Sequence, residues 1–210
     1  MVREAALPTL DSSTFNREIA MISAAPVDMP ARSPAFIDAT GEALLDAAWK
    51  GIDISKVRFR EIRADDYSML HAFVHGLSRE TAYKRLLSPR TPTDEELHRW
   101  SAIDPANEFA VIAVAGPKDR EELVGVARYV IEAPLEADFA IVLADAWQGL
   151  GLGHELLSRL IVAARRRGLR RLSGQTLATN TGMLTLAGRL GFARLRLSGL
   201  VTTLRLDLTS

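Results

Sequence analysis

The chain has 210 residues, of which 48% are hydrophobic and 25% are charged, a composition typical of one globular domain with an appendage. Lys and Arg total 26, as do Asp and Glu, so net charge gives no reason to expect a nucleic-acid or membrane partner. The absence of cysteine excludes disulfides, thiolate metal sites and a cysteine-bound acyl intermediate.

Residues 1–55 are predicted to form an N-terminal extension that differs in composition from the rest. Residues 23–36 are rich in Pro, Ala and Ser and indicate an irregular connector. Short helices are predicted on either side of it, over residues 12–21 and 41–49. The first residues lack the pattern of a secretory signal, and no apolar run approaches the roughly 20 residues of a membrane span, so a cytoplasmic location is expected.

Residues 56–210 are predicted to form a single α/β domain. The expected elements are a strand at 57–62, helices at 65–77, 78–87 and 93–100, strands at 109–116, 122–131 and 136–144, a helix at 152–167, a strand at 171–178, a helix at 181–190, and a closing pair of strands around 198–199. Because three strands follow one another before strand and helix alternate, we expect a mixed α/β sheet and not a regular Rossmann alternation.

A glycine-rich loop between the strand at 136–144 and the following helix is the most informative segment. It runs from Gln148 to Gly153 and contains glycine at every second position from Gly149. Such a loop directs several backbone N–H groups and the positive end of the helix at one point, which binds phosphate without lysine. The glycines let the backbone approach a diphosphate closely or adopt positive φ.

Two other phosphate-binding loops do not fit this segment. A Walker loop needs Gly-Lys-Ser/Thr, but His154 and Glu155 follow Gly153. The dinucleotide fingerprint needs Gly-x-Gly-x-x-Gly, whereas the spacing here is Gly-x-Gly-x-Gly. A plain strand-to-helix turn that needs glycine is the alternative without a ligand.

The loop fits, at every fixed position, the Gln/Arg-x-x-Gly-x-Gly/Ala loop of the GNAT superfamily of N-acetyltransferases, which the chain resembles over residues 57–208. Asn180 and the pair Gly191 and Phe192 match the superfamily pattern further along. The segments FREIRADD, DFAIVLADAWQGLGLG and NTGMLTLAGRLGF are most similar to the acetyltransferase domain of bacterial Pat-type protein-lysine acetyltransferases.

This resemblance implies a GNAT fold, a mixed and largely antiparallel central sheet flanked by helices, with splayed strands that hold acetyl-CoA as co-substrate. It implies that backbone N–H groups of residues 141–143 hold the thioester carbonyl and the pantetheine amides, and that Asn180 lies near the pantetheine arm. His154 opens the helix beside the loop, where either a contact with the cofactor or a position on the surface is expected. The residues expected to bind acetyl-CoA are Ile141, Val142, Leu143, Gln148, Gly149, Leu150, Gly151, Leu152, Gly153, His154, Asn180 and Met183.

Acetyl transfer to an amine needs a neutral nucleophile, and a lysine amine has a pKa near 10.4. Asp138 is the leading candidate for the base, since it stands at the start of the strand that feeds the loop, where Pat-like relatives carry glutamate. Its side chain is shorter by about 1.5 Å, so we expect it to act through a water. A solvated strand-end carboxylate is the alternative, with Glu136 and Glu132 as reserve bases.

A general acid is missing from the pattern. Many superfamily members carry tyrosine four residues before the glycine of Gly-Phe, and here that residue is Ala187. The thiolate is therefore expected to leave unassisted or to be protonated by water, since a thiol pKa near 8.5 makes it a tolerable leaving group. With no cysteine in the chain, direct attack of the amine within a ternary complex is expected.

Two further clusters have other possible functions. His71 and His75 have metal-ligand spacing on a helix, but Ala72 replaces the glutamate of a His-Glu-x-x-His motif and no third ligand is apparent, so no metal is expected. The arginines at 165–167 and 170–171 could indicate nucleic acid, but they are better explained as a solvated helix C-terminus.

The sequence therefore predicts an acetyl-CoA-dependent N-acetyltransferase that acts on a primary amine. A protein lysine is the first expectation for the acceptor and a small-molecule amine the second. The rival class is a non-catalytic module that senses acyl-CoA or binds a partner. It stays open because Asp138 stands where Pat-like relatives carry glutamate, and Ala187 stands where many superfamily members carry tyrosine. No nucleic-acid or membrane partner is expected, and a homodimer is left open.

Overall fold

The computed structural model describes residues 54–196 and 199–208. The predicted N-terminal extension, with its helices at 12–21 and 41–49, lies outside the described residues except for its last two positions. These two begin a short 3-10 helix at Ile54–Lys56 that leads into the first strand.

The described elements follow the predicted order, each within a few residues of its expected bounds. Strands β1 to β7 span Arg58–Glu61, Glu108–Ala115, Glu122–Ala133, Glu136–Leu143, Arg171–Leu177, Ala193–Arg196 and Val201–Asp207. Helices α1 to α5 span Tyr67–Gly76, Arg79–Leu86, Asp94–Ser101, Leu152–Arg166 and Thr181–Arg189. Further 3-10 turns lie at Ala64–Asp66 and Asp145–Trp147.

Local signals in the sequence account for most helix ends. Ser78 caps α2 by accepting a hydrogen bond from the N–H of Thr81. Thr93 and Glu96 form the predicted capping box at the start of α3. Gly168, with φ +81°, follows the end of α4 in the left-handed conformation that glycine adopts readily.

The strands form one seven-stranded sheet in the order β1-β2-β3-β4-β5-β7-β6. All neighbouring strands are antiparallel except β4 and β5, which are parallel. The predicted mixed, largely antiparallel sheet flanked by helices is therefore confirmed.

The parallel strands β4 and β5 separate soon after they begin. Only three pairs join them, and the last of these pairs is Asp138 with Ser173. Strand β4 continues to Leu143 and β5 to Leu177, each held only by its outer neighbour. We call the resulting opening the fork, and it confirms the expected splayed strands.

Helices cover both faces of the sheet, and strands β2 and β3 are accordingly buried on both faces along most of their length. On one face, α4 and α5 pack on the sheet around Leu156, Leu157 and Leu160, none of which is exposed. On the other face, helices α1 to α3 enclose a second cluster that includes Leu97 and Ile112. Among the described residues, no helix is long and apolar enough to cross a membrane.

Candidate active site

The glycine loop turns sharply into helix α4. Gly149 and Gly151 have φ of +82° and +86°, a conformation that other L residues rarely adopt. Gly153 differs, since it lies in the first turn of α4 and its φ is not positive. A Cβ at this position would lie 3.3 Å from the side chains of Leu143 and Leu186, so Gly153 is needed for close packing of α4 against β4 and α5.

The loop presents a row of free backbone N–H groups. Within residues 54–196 and 199–208, the N–H groups of residues 149–153 donate to no protein atom, whereas the next one, of His154, donates to the Gly151 carbonyl at 3.1 Å. The side chains of Leu150 and Leu152 are buried, with 1% and 5% exposure, so these residues can reach a ligand only through their main chain. Successive N–H groups at a helix N-terminus form a site that favours an anion.

Strand β4 presents alternate residues to the fork. Backbone groups of successive residues point to opposite neighbours, and the Ala144 N–H donates to the Val124 carbonyl of β3 at 2.9 Å. Val142, two residues earlier, therefore also bonds toward β3, whereas Ile141 and Leu143 direct their N–H and C=O groups into the fork. Of the three residues expected to hold the pantetheine arm, the structure brings the main chain of two to the fork and that of Val142 to β3.

The side chain of Gln148 holds the loop to its surroundings. Its amide Nε2 donates to the Leu143 carbonyl and to the Thr81 hydroxyl, both at 3.2 Å. The same Thr81 hydroxyl donates to Asp145 at 2.7 Å. The fixed polar residue of the loop motif therefore connects the loop to the end of β4 and to helix α2.

Asp145 anchors the N-terminus of α2 to the loop, a role that no local pattern around Asp145 predicts. Its carboxylate accepts hydrogen bonds from the Ser78 N–H at 2.9 Å, the Ser78 hydroxyl at 2.7 Å and the Thr81 hydroxyl. Partial burial opposes the charged form, but these hydrogen bonds outweigh it and lower the pKa of Asp145 below its ordinary value. The only sequence signal was the helix cap at Ser78, whose partner lies 67 residues away.

Replacing Asp145 by asparagine should lower the free energy of unfolding by about 1–2 kcal/mol at pH 7, since a charged acceptor is lost from three hydrogen bonds at an exposed site. The native pKa is lowered, so this stabilisation is fully present above the ordinary pKa of an aspartate and is lost as pH falls through the lower native pKa. Urea unfolding at several pH values should show the deficit shrinking in acid. Asp119→Asn, in the exposed turn before β3, should show no deficit, and an equal one would refute the role of the anchor.

Asn180 lies between β5 and α5, beside the fork. Its side-chain carbonyl caps α5 by accepting from the Met183 N–H at 3.2 Å, and its amide donates to the buried Thr176 hydroxyl at 3.1 Å. Met183 is half-buried against the main core. The structure therefore explains Asn180 first as a helix cap, and contact of either residue with the cofactor stays a prediction.

The candidate bases lie at the closed end of the fork. Asp138 is half-buried and belongs to the last residue pair between β4 and β5. Glu136 is engaged in an ion pair with Arg171, which also pairs with Asp207. Glu132 is exposed and lies at the register shift between Ile131 and Ala133 of β3. Of the three carboxylates, Asp138 alone stands where the strands begin to separate.

The residue in the superfamily's tyrosine position is fully enclosed. Ala187 on α5 has no exposed surface and packs in the main core with Phe192. It offers no hydroxyl, so the side chain at this position cannot protonate a leaving thiolate.

A cavity of about 490 Å³ lies on the α1–α3 face of the sheet. Val126 and Arg128 of β3 and Val142 of β4 line its floor, and helices α1 and α2 contribute to its walls. Val142 is in the part of β4 that borders the fork, so the cavity adjoins the fork through that strand. Cavities of this size bind small molecules.

The histidine pair on α1 has a neighbour that the sequence did not reveal. Asp94 of α3 places a carboxylate oxygen 3.4 Å from Nε2 of His71, and ligand atoms of His71, His75 and Asp94 lie within 4.8 Å of one another. The short distance is that of an imidazole–carboxylate ion pair, which needs no metal to account for it. Asp94 and His75 are exposed, and the expectation of no metal stays a prediction.

The basic residues after α4 take up separate positions. Arg165 and Arg166 lie in its last turn, where positive charge suits the helix dipole. Arg167 donates to the Ala106 carbonyl, and Arg171 is paired with Glu136. Arg167 and Arg171 therefore have structural partners.

Comparison with known proteins agrees with this geometry. Residues 56–193 match the family model described as an acetyltransferase (GNAT) domain. The chain is 29% identical over 168 residues to acetyltransferase PA5475 of Pseudomonas aeruginosa, covering 79% of this chain and 89% of that protein. It is 33% identical over 116 residues to acetyltransferase Pat of Mycolicibacterium smegmatis, covering 54% of this chain and 34% of that protein.

A solved structure also matches this chain as a GNAT domain. The crystal structure of the GNAT domain of S. lividans PAT matches with a TM-score of 0.66 and 28% identity, covering 72% of this chain and 90% of that one. The predicted resemblance to Pat-type proteins is thereby confirmed. Since the family model covers more than half of the sequence, the chain belongs to the GNAT family and is an acetyltransferase.

Proposed function

We propose that the chain transfers acetyl from acetyl-CoA to a primary amine. The single observation that carries the proposal is the row of free N–H groups at residues 149–153, set at the mouth of the fork. The diphosphate of CoA would lie on these groups, and the pantetheine arm would run along the main chain of Ile141 and Leu143. The thioester would then sit between β4 and β5.

In the proposed step the amine nitrogen attacks the thioester carbonyl, the new C–N bond forms, and the C–S bond breaks. Acetyl-CoA and a protonated amine give the amide, CoA as the thiol, and one released proton. Main-chain N–H groups of β4 would stabilise the oxyanion. Asp138 would take the amine proton through a water, because it lies at the closed end of the fork.

The acceptor is proposed as a protein lysine first, on the resemblance to Pat-type enzymes, and as a small-molecule amine second. The rival is a module that binds acyl-CoA without turnover, which Ala187 favours because this position supplies no acid. Turnover of acetyl-CoA with a panel of amines and lysine-containing proteins separates the two classes. A cytoplasmic location stays a prediction, and the homodimer remains open.

Initial rates should identify a ternary complex. Because the chain has no cysteine to carry an acyl group, varying acetyl-CoA at several fixed amine concentrations should give intersecting double-reciprocal lines. Mass spectrometry of the enzyme with acetyl-CoA alone provides the control, with no acetyl adduct expected that passes to an amine. Parallel lines with a chemically competent acetyl-enzyme would overturn direct attack.

A further inference from the structure

Arg128 is a buried cation at the floor of the cavity. The residue is only 5% exposed, yet it lines the cavity beside Val126 and Val142. Its Nη2 lies 3.5 Å from a carboxylate oxygen of Glu108, at the outer limit of a hydrogen bond. Its Nε and the other oxygen of Glu108 have no partner within the described residues. The guanidinium is therefore buried with part of its bonding capacity unused.

The Glu108 carboxylate compensates this cation only partly. Burial raises the pKa of Glu108 above that of an ordinary carboxyl, because the charged form loses its hydration. Burial likewise lowers the pKa of Arg128, and the nearby positive charges of Arg85 and Arg99 add to this effect. A buried cation with a distant partner is stabilised by any further anion that can reach it.

The rest of the cavity lining is also basic. Among the described residues that line it, Arg79, Arg85 and Arg90 are basic and only Glu80 is acidic. Glu80 is paired with Lys84, and Arg90 binds Glu96 through two hydrogen bonds of 2.7 and 2.8 Å. The cationic groups thus outnumber the acidic ones along the path to Arg128.

We propose that Arg128 binds a carboxylate of the acceptor. This contact favours the second of the two proposed acceptor classes over protein lysines, and within that class the small primary amines that carry a carboxylate. The proposal rests on the proposed acetyl transfer, since it takes the cavity as the acceptor site. The planar guanidinium matches a carboxylate in geometry and charge, and Val142 places this contact next to the strand that borders the fork. A lysine side chain of a folded protein brings no carboxylate to the cavity floor.

Matched acceptors test the preference in the wild-type protein. α-Amino acids are compared with their C-terminal amides, and β-alanine, 4-aminobutyrate and 5-aminovalerate with alkylamines of the same length. The amide lowers the basicity of the neighbouring amine, which favours the amide and so works against the proposal. For at least one pair, kcat/KM for the carboxylate should be about tenfold higher or more, the value of one charge-assisted contact. Equal or faster turnover of every carboxylate-free partner, or of a neutral lysine peptide, overturns the proposal.

Two variants assign the preference to Arg128. Changing Arg128→Gln together with Glu108→Gln removes both charges and leaves no buried charge unpaired, and the ratio within the best pair should fall to about threefold or less. Arg128→Lys keeps the charge without the planar fork and should keep part of the ratio. Arg165→Gln, on the opposite side of the sheet, should leave the ratio unchanged. Circular dichroism melting checks the fold, and a ratio that survives in the folded double variant excludes Arg128.

A binding measurement separates this proposal from acetyl transfer itself. If acetyl-CoA binds but no amine is acetylated, the proposed function fails. Calorimetry with the free amino acids and the CoA-loaded protein then decides on the anion site. Binding to the wild type that is lost in the double variant supports the site, and absence of binding overturns it.

Discussion

Replacement of Gly151 by aspartate should weaken acetyl-CoA binding by about 100-fold or more. The new carboxylate would stand where the free N–H groups of residues 149–153 point, and where we propose that the diphosphate lies. Like charges about 4 Å apart at a protein surface repel by several kcal/mol, which exceeds the roughly 2.7 kcal/mol of a hundredfold change. Isothermal calorimetry with acetyl-CoA measures the effect directly.

Gly168→Asp is the matched control for this variant. Gly168 has nearly the same backbone conformation as Gly151, with φ +81° against +86°, and a Cβ there would meet no atom within 4 Å. It lies at the other end of α4, about 25 Å away at 1.5 Å per residue. In both variants the free energy of unfolding should fall by about 1–2 kcal/mol, because an aspartate must adopt the left-handed conformation. If Gly151→Asp binds acetyl-CoA as well as Gly168→Asp does, the diphosphate does not lie on this loop.

Replacement of Asp138 by asparagine should lower the acetylation rate at neutral pH by about 10²- to 10⁴-fold, the usual contribution of a positioned base. The change keeps the shape of the side chain and removes its basicity. Acetyl-CoA affinity should barely change, because the carboxylate is not proposed to contact the cofactor. The loss should shrink as pH rises toward the pKa of the amine, near 10.4 for lysine, where the nucleophile is already neutral.

Asp138 lies close to the fork but far from the cavity. Asp138 is in the last pair before β4 and β5 separate, and alternation places its side chain on the same face of the sheet as Val142. The cavity, however, reaches β4 at Val142, four residues further along and thus about 13 Å away. A proton path from the cavity to Asp138 would therefore need water.

Two variants accompany Asp138→Asn, one at a control position and one at the first reserve base. Asp119→Asn makes the same chemical change in an exposed turn and should leave the rate unaltered. Glu136→Gln should have little effect on the rate, because Glu136 is already engaged with Arg171. If Asp138→Asn stays within a few-fold of wild type at every pH, deprotonation in a desolvated pocket becomes the better explanation. Glu136 and Glu132 would then be the next bases to test.

Local chemistry in the sequence determined the elements of the fold. Alternation of apolar residues identified the strands, caps at Ser78 and Thr93 located helix starts, and Gly168 marked a helix end. The loop from Gln148 to Gly153 was recognisable because free N–H groups at a helix N-terminus depend on backbone conformation, which glycine spacing reveals. These features involve residues close together in the chain, where residue type constrains geometry directly.

Contacts between distant segments could not be derived in this way. Asp145 contacts Ser78, which is 67 residues away in the sequence. Asp94 of α3 contacts His71 of α1, with helix α2 between them in the chain. Neither contact leaves a local pattern in the sequence. The sequence also could not tell that Gly153 serves packing against Leu143 rather than backbone freedom. Each of these depends on which side chains the folded sheet and helices bring together.

The functional division of β4 was likewise decided only by the tertiary structure. Residues 141–143 formed one group in the sequence, but pairing with β3 directs only the main-chain groups of Ile141 and Leu143 into the fork. Val142 bonds to β3 through its main chain and lines the cavity with its side chain. No sequence pattern distinguishes Arg128 from other strand residues, because only the folded sheet places it beside Glu108 at the cavity floor. Sequence determined where a glycine loop with free N–H groups would form, because that is local. Tertiary structure decided what faces the cavity, because strand register and layer packing set the face on which each side chain lies.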